Sequence, residues 1–112
     1  MKLEPLALTK TLFLAFIERK PNITGYELKK LVFEFTKGAL ELKSGHIYSE
    51  LRNLEKQGFL SSYLVTDTRK KRCYTITEKG KEELRRLYAL IKDRIENVLL
   101  PLLALIEGRS SV

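Results

Sequence analysis

Beyond Thr77 an apolar residue recurs at alternating spacings of four and three: Leu84, Tyr88, Ile91, Ile95, Val98, Leu102 and Leu105. This is a heptad-like seam, the pattern that keeps one face of a long helix apolar. Thr77 and Glu78 open it with a capping hydroxyl and a first-turn acid, and the pattern lasts to about Glu107. About thirty residues of helix span roughly 45 Å at 1.5 Å per residue. The chain has 112 residues, which suffices for one domain and leaves no room for a second independent core. A body of three short helices is too small to cover such a seam. The seam either packs on the first helix of its own chain or asks for a partner, and an identical chain is the simplest one. Pro101 interrupts it. Proline removes a helical hydrogen bond, so the helix should kink or end there.

Upstream the sequence reads as three shorter helices and a hairpin. A first helix is predicted over Thr9–Arg19, with Leu12, Phe13, Phe16 and Ile17 on one face. Pro21 and Asn22 end it, because the residue before proline disfavours helical geometry. Thr24-Gly25-Tyr26-Glu27 has the form of a capping box. Leu28, Leu31, Val32 and Phe35 then make an apolar stripe, and Gly38 fits a helix stop. Leu40 and Leu42 alternate with Glu41 and Lys43, as in a very short strand. Ser44 is a good N-cap for a third helix, whose buried face is Ile47, Leu51 and Leu54 and whose end is Gly58. Two runs of strand formers, 60–65 and 72–76, flank the polar, basic tip Thr66–Lys71. The expected fold is mainly α with a small β-hairpin wing. It is a winged helix-turn-helix over residues 1–77, with a long C-terminal dimerisation helix over 78–112 in the same compact domain.

Hydrophobic residues make up 44% of the chain, so a packed core is expected rather than disorder. The net charge is +7, which favours polyanion partners, nucleic acid before an anionic membrane surface. The excess is local. Between Lys43 and Lys81 nine basic residues face four acids, leaving +5 of the +7. In a helix-turn-helix the second helix of the pair enters the major groove of duplex DNA, and a hairpin lies beside it. That helix carries Ser49, Arg52, Asn53 and Lys56 opposite its apolar face. Arg can pair with guanine and Asn with adenine through two hydrogen bonds each, and Lys56 suits a phosphate. The alternative is an ordinary solvated face, with Glu50 and Glu55 interleaved. Ser44, His46 and Tyr48 lie at the start of the same helix. His46 is read either as a phosphate contact at the helix N-terminus or as a plain polar residue. Tyr48 either bridges core and phosphate or packs. Tyr26 leans toward packing. The wing cluster Arg69, Lys70, Lys71 and Arg72 is read as phosphate-binding, against a charged tip that keeps a hairpin edge soluble. Alternate strand residues face opposite ways, so two of the four can meet one duplex.

No nucleophile–base pair, phosphate-binding glycine loop or metal-ligand spacing is present, so neither catalysis nor a metal or cofactor is expected. The single cysteine, Cys73, reads as a small strand residue, with a reactive thiol as the sharper alternative; a reducing, cytoplasmic setting is expected. Neither a signal peptide nor a membrane span is expected. A twofold dimer would present two reading helices to a palindromic operator. The competing reading is a winged-helix protein-interaction module without sequence-specific DNA binding.

Taken together, Gly25-Tyr26-Glu27-Leu28, Ser44-Gly45-His46-Ile47-Tyr48, the run from Leu51 to Leu60, and Tyr74-Thr75-Ile76-Thr77-Glu78-Lys79-Gly80 resemble the PadR family of winged helix-turn-helix regulators. The resemblance covers most of positions 12–88. The glycine-tyrosine-glutamate opening combined with the start of the third helix is fairly specific; the threonine-glutamate-x-glycine end is shared by many winged-helix families. Ser49 stands where members often carry proline, and Arg69-Lys70-Lys71-Arg72 where a glycine-arginine-proline run is frequent. Both departures bear on detailed contacts, neither on the fold. The resemblance implies a homodimer built through the C-terminal helix, usually a repressor of nearby genes. Some relatives bind small aromatic effectors at the dimer interface. This chain has no Trp, and Tyr88 is the only aromatic on the long helix, which gives no support to an aromatic sandwich and leaves any effector unassigned.

Overall fold

The computed structural model describes residues 3–66 and 70–110, with only the backbone of Lys70. The chain runs α1 (Leu8–Arg19), β1 (Ile23–Thr24), α2 (Gly25–Phe35), α3 (Ser44–Lys56), β2 (Leu60–Thr66), β3 (Lys70–Ile76), α4 (Glu78–Arg94), a π-helical turn (Ile95–Leu99) and α5 (Leu100–Ile106).

The local signals act much as their chemistry requires. The Thr24 hydroxyl accepts from the Glu27 amide at 3.2 Å, and the Glu27 carboxylate accepts from the Thr24 amide at 3.4 Å, completing the capping box of α2. Thr77 caps α4 by accepting from the Gly80 amide at 3.0 Å. Gly58 ends α3 at φ +86°, a region that a side chain disfavours. Two expectations need correction. Ser44 is not the N-cap of α3: Lys43 holds that position without a side-chain cap, and the Ser44 hydroxyl accepts from Lys29 Nζ at 3.3 Å. Leu40 and Leu42 form no strand. They are partly buried apolar residues packed against the core; the third strand is instead Ile23–Thr24, too short to show a periodicity.

The sheet is antiparallel in the order β1-β3-β2, with Ile23 opposite Tyr74 and Leu60 opposite Ile76. Cys73 is a buried member of the central strand, flanked by Thr24 and Tyr63. The core draws on every main element: Phe13, Leu14 and Ile17 of α1, Leu28 and Val32 of α2, Ile47, Leu51 and Leu54 of α3, and Ile23, Leu60 and Tyr74 of the sheet. Leu87 of α4 completes it, with Leu84 partly buried alongside.

A backbone clasp joins α3, the sheet and α4. The Thr77 amide donates to the Phe59 carbonyl at 3.0 Å, and the Thr77 hydroxyl donates to the Gly58 carbonyl at 2.6 Å. Gly80 lies so close that a β-carbon there would sit 2.1 Å from the Phe59 carbonyl oxygen. The Phe59 ring is covered by two ammonium groups, Lys10 at 4.6 Å and Lys79 at 5.3 Å from its centroid. One turn further along the same face of α4, Glu83 accepts from Lys10 at 2.5 Å and from Arg86 at 2.7 Å, and Arg86 also reaches Glu4 at 3.1 Å. Arg94 donates to the Glu4 carbonyl, so the N-terminal segment is tied along α4.

The C-terminal helix neither breaks nor ends at Pro101. The Leu100 amide donates to the carbonyl of Ile95, five residues back, so a widened π turn takes up the backbone just ahead of the proline ring. Helix then continues to Ile106. Among the described residues no helix is long and apolar enough to cross a membrane.

Gly80→Ala should cost about 2–3 kcal/mol, because the obstacle is backbone and cannot swing away, and should lower Tm by on the order of 10 °C; an unchanged melting curve would refute the clasp. Hydrogen bonds from Arg86 and then Lys10 hold the Glu83 carboxyl down to about 2, against an ordinary value of 4.5. A carboxyl lowered on folding adds stability above its unfolded value, so this contribution should fade as pH drops from about 4.5 toward 2. Glu83→Gln should flatten acid unfolding over that interval, measured by circular dichroism at stepped pH.

Candidate nucleic-acid interface

The tight approach of α2 and α3 sets the candidate reading surface. Gly25, at the start of α2, lies under the Tyr48 ring; a β-carbon there would sit 2.6 Å from Tyr48 Cε1. With Ile47, Leu51 and Leu54 turned into the core, the other face of α3 is left to solvent. His46, Ser49, Arg52, Asn53 and Lys56 are all exposed on it, as is Ser44 in the first turn. The Tyr48 ring packs on Gly25 and stays exposed on the α2–wing side. His46 makes no hydrogen bond among the described residues.

The wing stands beside this face. Arg69 lies outside the described residues, as does the Lys70 side chain. Lys71 pairs with Val65 and Arg72 with Leu64, so these two side chains leave opposite faces of the hairpin. Lys71 and Arg72 line a concavity with Thr24, Tyr26, Glu27 and Tyr48, between the base of the wing and the first turn of α2. Tyr26 is 74% exposed there, so it is a surface residue and not a packing one. Its position off the Leu28–Leu31–Val32 stripe is the signal in the sequence that points this way.

Arg72 differs from the rest of the cluster. Its Nη1 donates to the Ser62 hydroxyl at 2.9 Å, and Ser62 donates to the Glu55 carboxylate at 2.7 Å. Sequence reasoning misses Ser62 and the role of Glu55, since only the folded hairpin brings them together. Beneath them the Tyr74 phenol is pushed up chiefly by burial, with Arg72 pulling down and Glu55 pushing up. Arg52, Lys56 and Lys71 form no ion pair among the described residues. The cations of α1 and α4 that pack on the body, Lys10 and Arg86, are by contrast matched with carboxylates. Arg52 and Lys56 are therefore uncommitted on an exposed helix face, with Asn53 between them. That face can meet a polyanion and present paired hydrogen-bonding groups to it.

Of the seam residues, Leu84 packs on the core of its own chain. Tyr88, Ile95, Leu102 and Leu105 are exposed; Ile91 and Val98 are half-buried.

Helix pair, hairpin wing and long C-terminal helix together define a winged helix-turn-helix protein. The PadR-like transcriptional regulator family matches residues 13–86, and the chain belongs to that family. Bacillus subtilis PadR, solved in complex with operator DNA, is 28% identical with a TM-score of 0.65, covering 74% of this chain and 47% of the other. This chain thus spans about half the length of that PadR. A transcriptional regulator from Clostridium thermocellum is 26% identical with a TM-score of 0.68, covering 80% of this chain and 90% of its own. A Streptococcus mutans protein is 25% identical with a TM-score of 0.68 over 99% of both chains. No curated protein matches the chain.

Gly25→Ala should cost far less than Gly80→Ala, under about 1 kcal/mol, because the obstacle is the edge of a movable ring and alanine favours helix. The Tyr48 ring resonances should shift while Tm stays near the parent value. A large loss of Tm would mean that the ring is locked in place.

Proposed function

We propose that the protein is a homodimeric, sequence-specific DNA-binding repressor. In this reading α3 enters the major groove, the wing meets the adjacent backbone, and the C-terminal helix joins two copies. The observation that carries it is the exposed face of α3, where Ser49, Arg52, Asn53 and Lys56 stand together. Family membership and the operator complex of Bacillus subtilis PadR support it.

In this assignment Arg52 and Asn53 read base edges, Ser49 lies beside them, and Ser44, His46, Tyr48 and Lys56 meet the backbone. On the wing, Lys71 and the uncovered edge of Arg72 neutralise phosphates, with Arg69 and Lys70 contributing from the tip. Association rests on apolar area. Leu99, Leu100, Leu102, Leu103, Leu105 and Ile106 are all exposed. A helix apolar on more than one side needs cover in water, and a second copy supplies it. Tyr88, Ile91, Ile95 and Val98 extend the contact toward the body. Two reading helices related by a twofold axis call for a palindromic operator, with half-sites one helical turn or a multiple of it apart.

Selection from random duplexes at low and near-physiological salt should recover such a palindrome. Arg52→Ala should alter its sequence with a loss of about 1–3 kcal/mol at the affected base pair. Loss of all enrichment at the higher salt would favour a protein-docking module instead. Ile95→Asp combined with Leu102→Asp should halve the mass measured by light scattering; an unchanged mass would refute association through this helix.

A further inference from the structure

We infer that Glu55 and Ser62 are positioning residues that set the wing against α3 by holding Arg72. The inference rests on the DNA-binding reading for its role and on the hydrogen bonds for its mechanism.

A serine hydroxyl has one proton to give. Ser62 gives it to the Glu55 carboxylate at 2.7 Å, which leaves its oxygen lone pairs facing outward. Arg72 Nη1 donates into that oxygen at 2.9 Å. The chain therefore runs one way, from guanidinium to hydroxyl to carboxylate, with a full charge at each end. Hydrogen bonds with a charged partner are shorter and stronger than neutral ones. Glu55 lies in the last turns of α3, Ser62 on β2 and Arg72 on β3, so three elements meet in one relay. Ser62, Leu64, Arg72 and Tyr74 share one face of the hairpin by register. Tyr74 is buried at the inner end of that face. The other described wing cation, Lys71, leaves the opposite face and has no such tether.

Consecutive basic residues in the wing thus have different work. Lys71 is a free charge, whereas Arg72 is a strut whose other nitrogens make no hydrogen bond among the described residues. Glu55, which looks like an unfavourable acid on a reading helix, is the anchor of that strut. Without it the wing keeps its own strand pairing and the core contacts of Leu60 and Tyr74 but loses its hydrogen-bonded tie to α3.

The test uses the full chain, its Glu55→Ala, Glu55→Gln and Ser62→Ala variants, and a mixed-sequence duplex of about 20 base pairs. Glu55→Ala and Ser62→Ala should each weaken binding roughly three- to ten-fold, the worth of an ordinary intramolecular hydrogen bond. The slope of log affinity against log salt should flatten by about one, the share of a single neutralised phosphate. Glu55→Gln keeps an accepting oxygen and should recover most of the loss, which a role in charge alone would not allow. In the free protein, residual dipolar couplings of the β2 and β3 amides should reorient relative to α3 in both alanine variants. Unchanged couplings and an unchanged salt slope would overturn the inference. If the parent chain binds no duplex, the DNA reading fails by itself and the couplings decide the relay: reorientation upholds it and unchanged couplings overturn it. Ser62→Ala removes one oxygen from a strand surface, so it keeps the test open should a Glu55 variant fold poorly.

Discussion

The clasp between the Gly58–Phe59 turn and the start of α4 is the contact on which the rest of the architecture depends. It joins the end of the candidate reading helix, the root of the hairpin and the head of the long helix through backbone groups that side-chain motion cannot rearrange. Only glycine at position 80 permits the approach. Because α3 stops at Gly58 and β2 begins at Leu60, the end of the helix and the root of the wing lie within two residues of each other. The same turn directs α4 across α1, where Leu87 enters the core. A long helix is thereby coupled to the candidate reading face through short, rigid connections and not through a linker.

At the contact of α1 with α4, Lys10 and Arg86 share Glu83, and Lys10 and Lys79 cover Phe59. On the α3 side Arg52, Lys56 and Lys71 are left without acids. An unmatched surface cation costs the fold little in water, and its attraction for a polyanion is retained because no intramolecular partner competes. Arg72 stands between the two groups, charged and outward but held from behind.

Helix boundaries are legible in the sequence where a single local motif decides them: the Thr24 box, Gly58 and the Thr77 cap each act within four residues. The exposed face of α3 is legible for the same reason, since Ile47, Leu51 and Leu54 define its opposite. What escapes such reading requires the tertiary fold. Ile23–Thr24 is a strand only because β3 offers an edge, and Leu40 and Leu42 turn inward onto a core that distant segments build. Ser44 is a plausible cap by type, yet Lys29 engages its hydroxyl from the neighbouring helix. Spacing alone does not show that Leu84 also packs partly on the core of its own chain. The Glu55–Ser62–Arg72 relay joins positions with no periodic relation, and by charge alone Arg72 stands among equals.

The π turn at Ile95–Leu99 has a geometric meaning beyond relieving the proline. One additional residue in a turn rotates everything after it about the helix axis by about 100°, one α-helical step. The apolar stripe that leaves the body with Tyr88 and Ile91 is therefore not continued in line by Leu102 and Leu105. The helix behaves like a key with two bits cut at different angles. A flat partner could engage one of them; a molecule that engages both has to curl around the shaft.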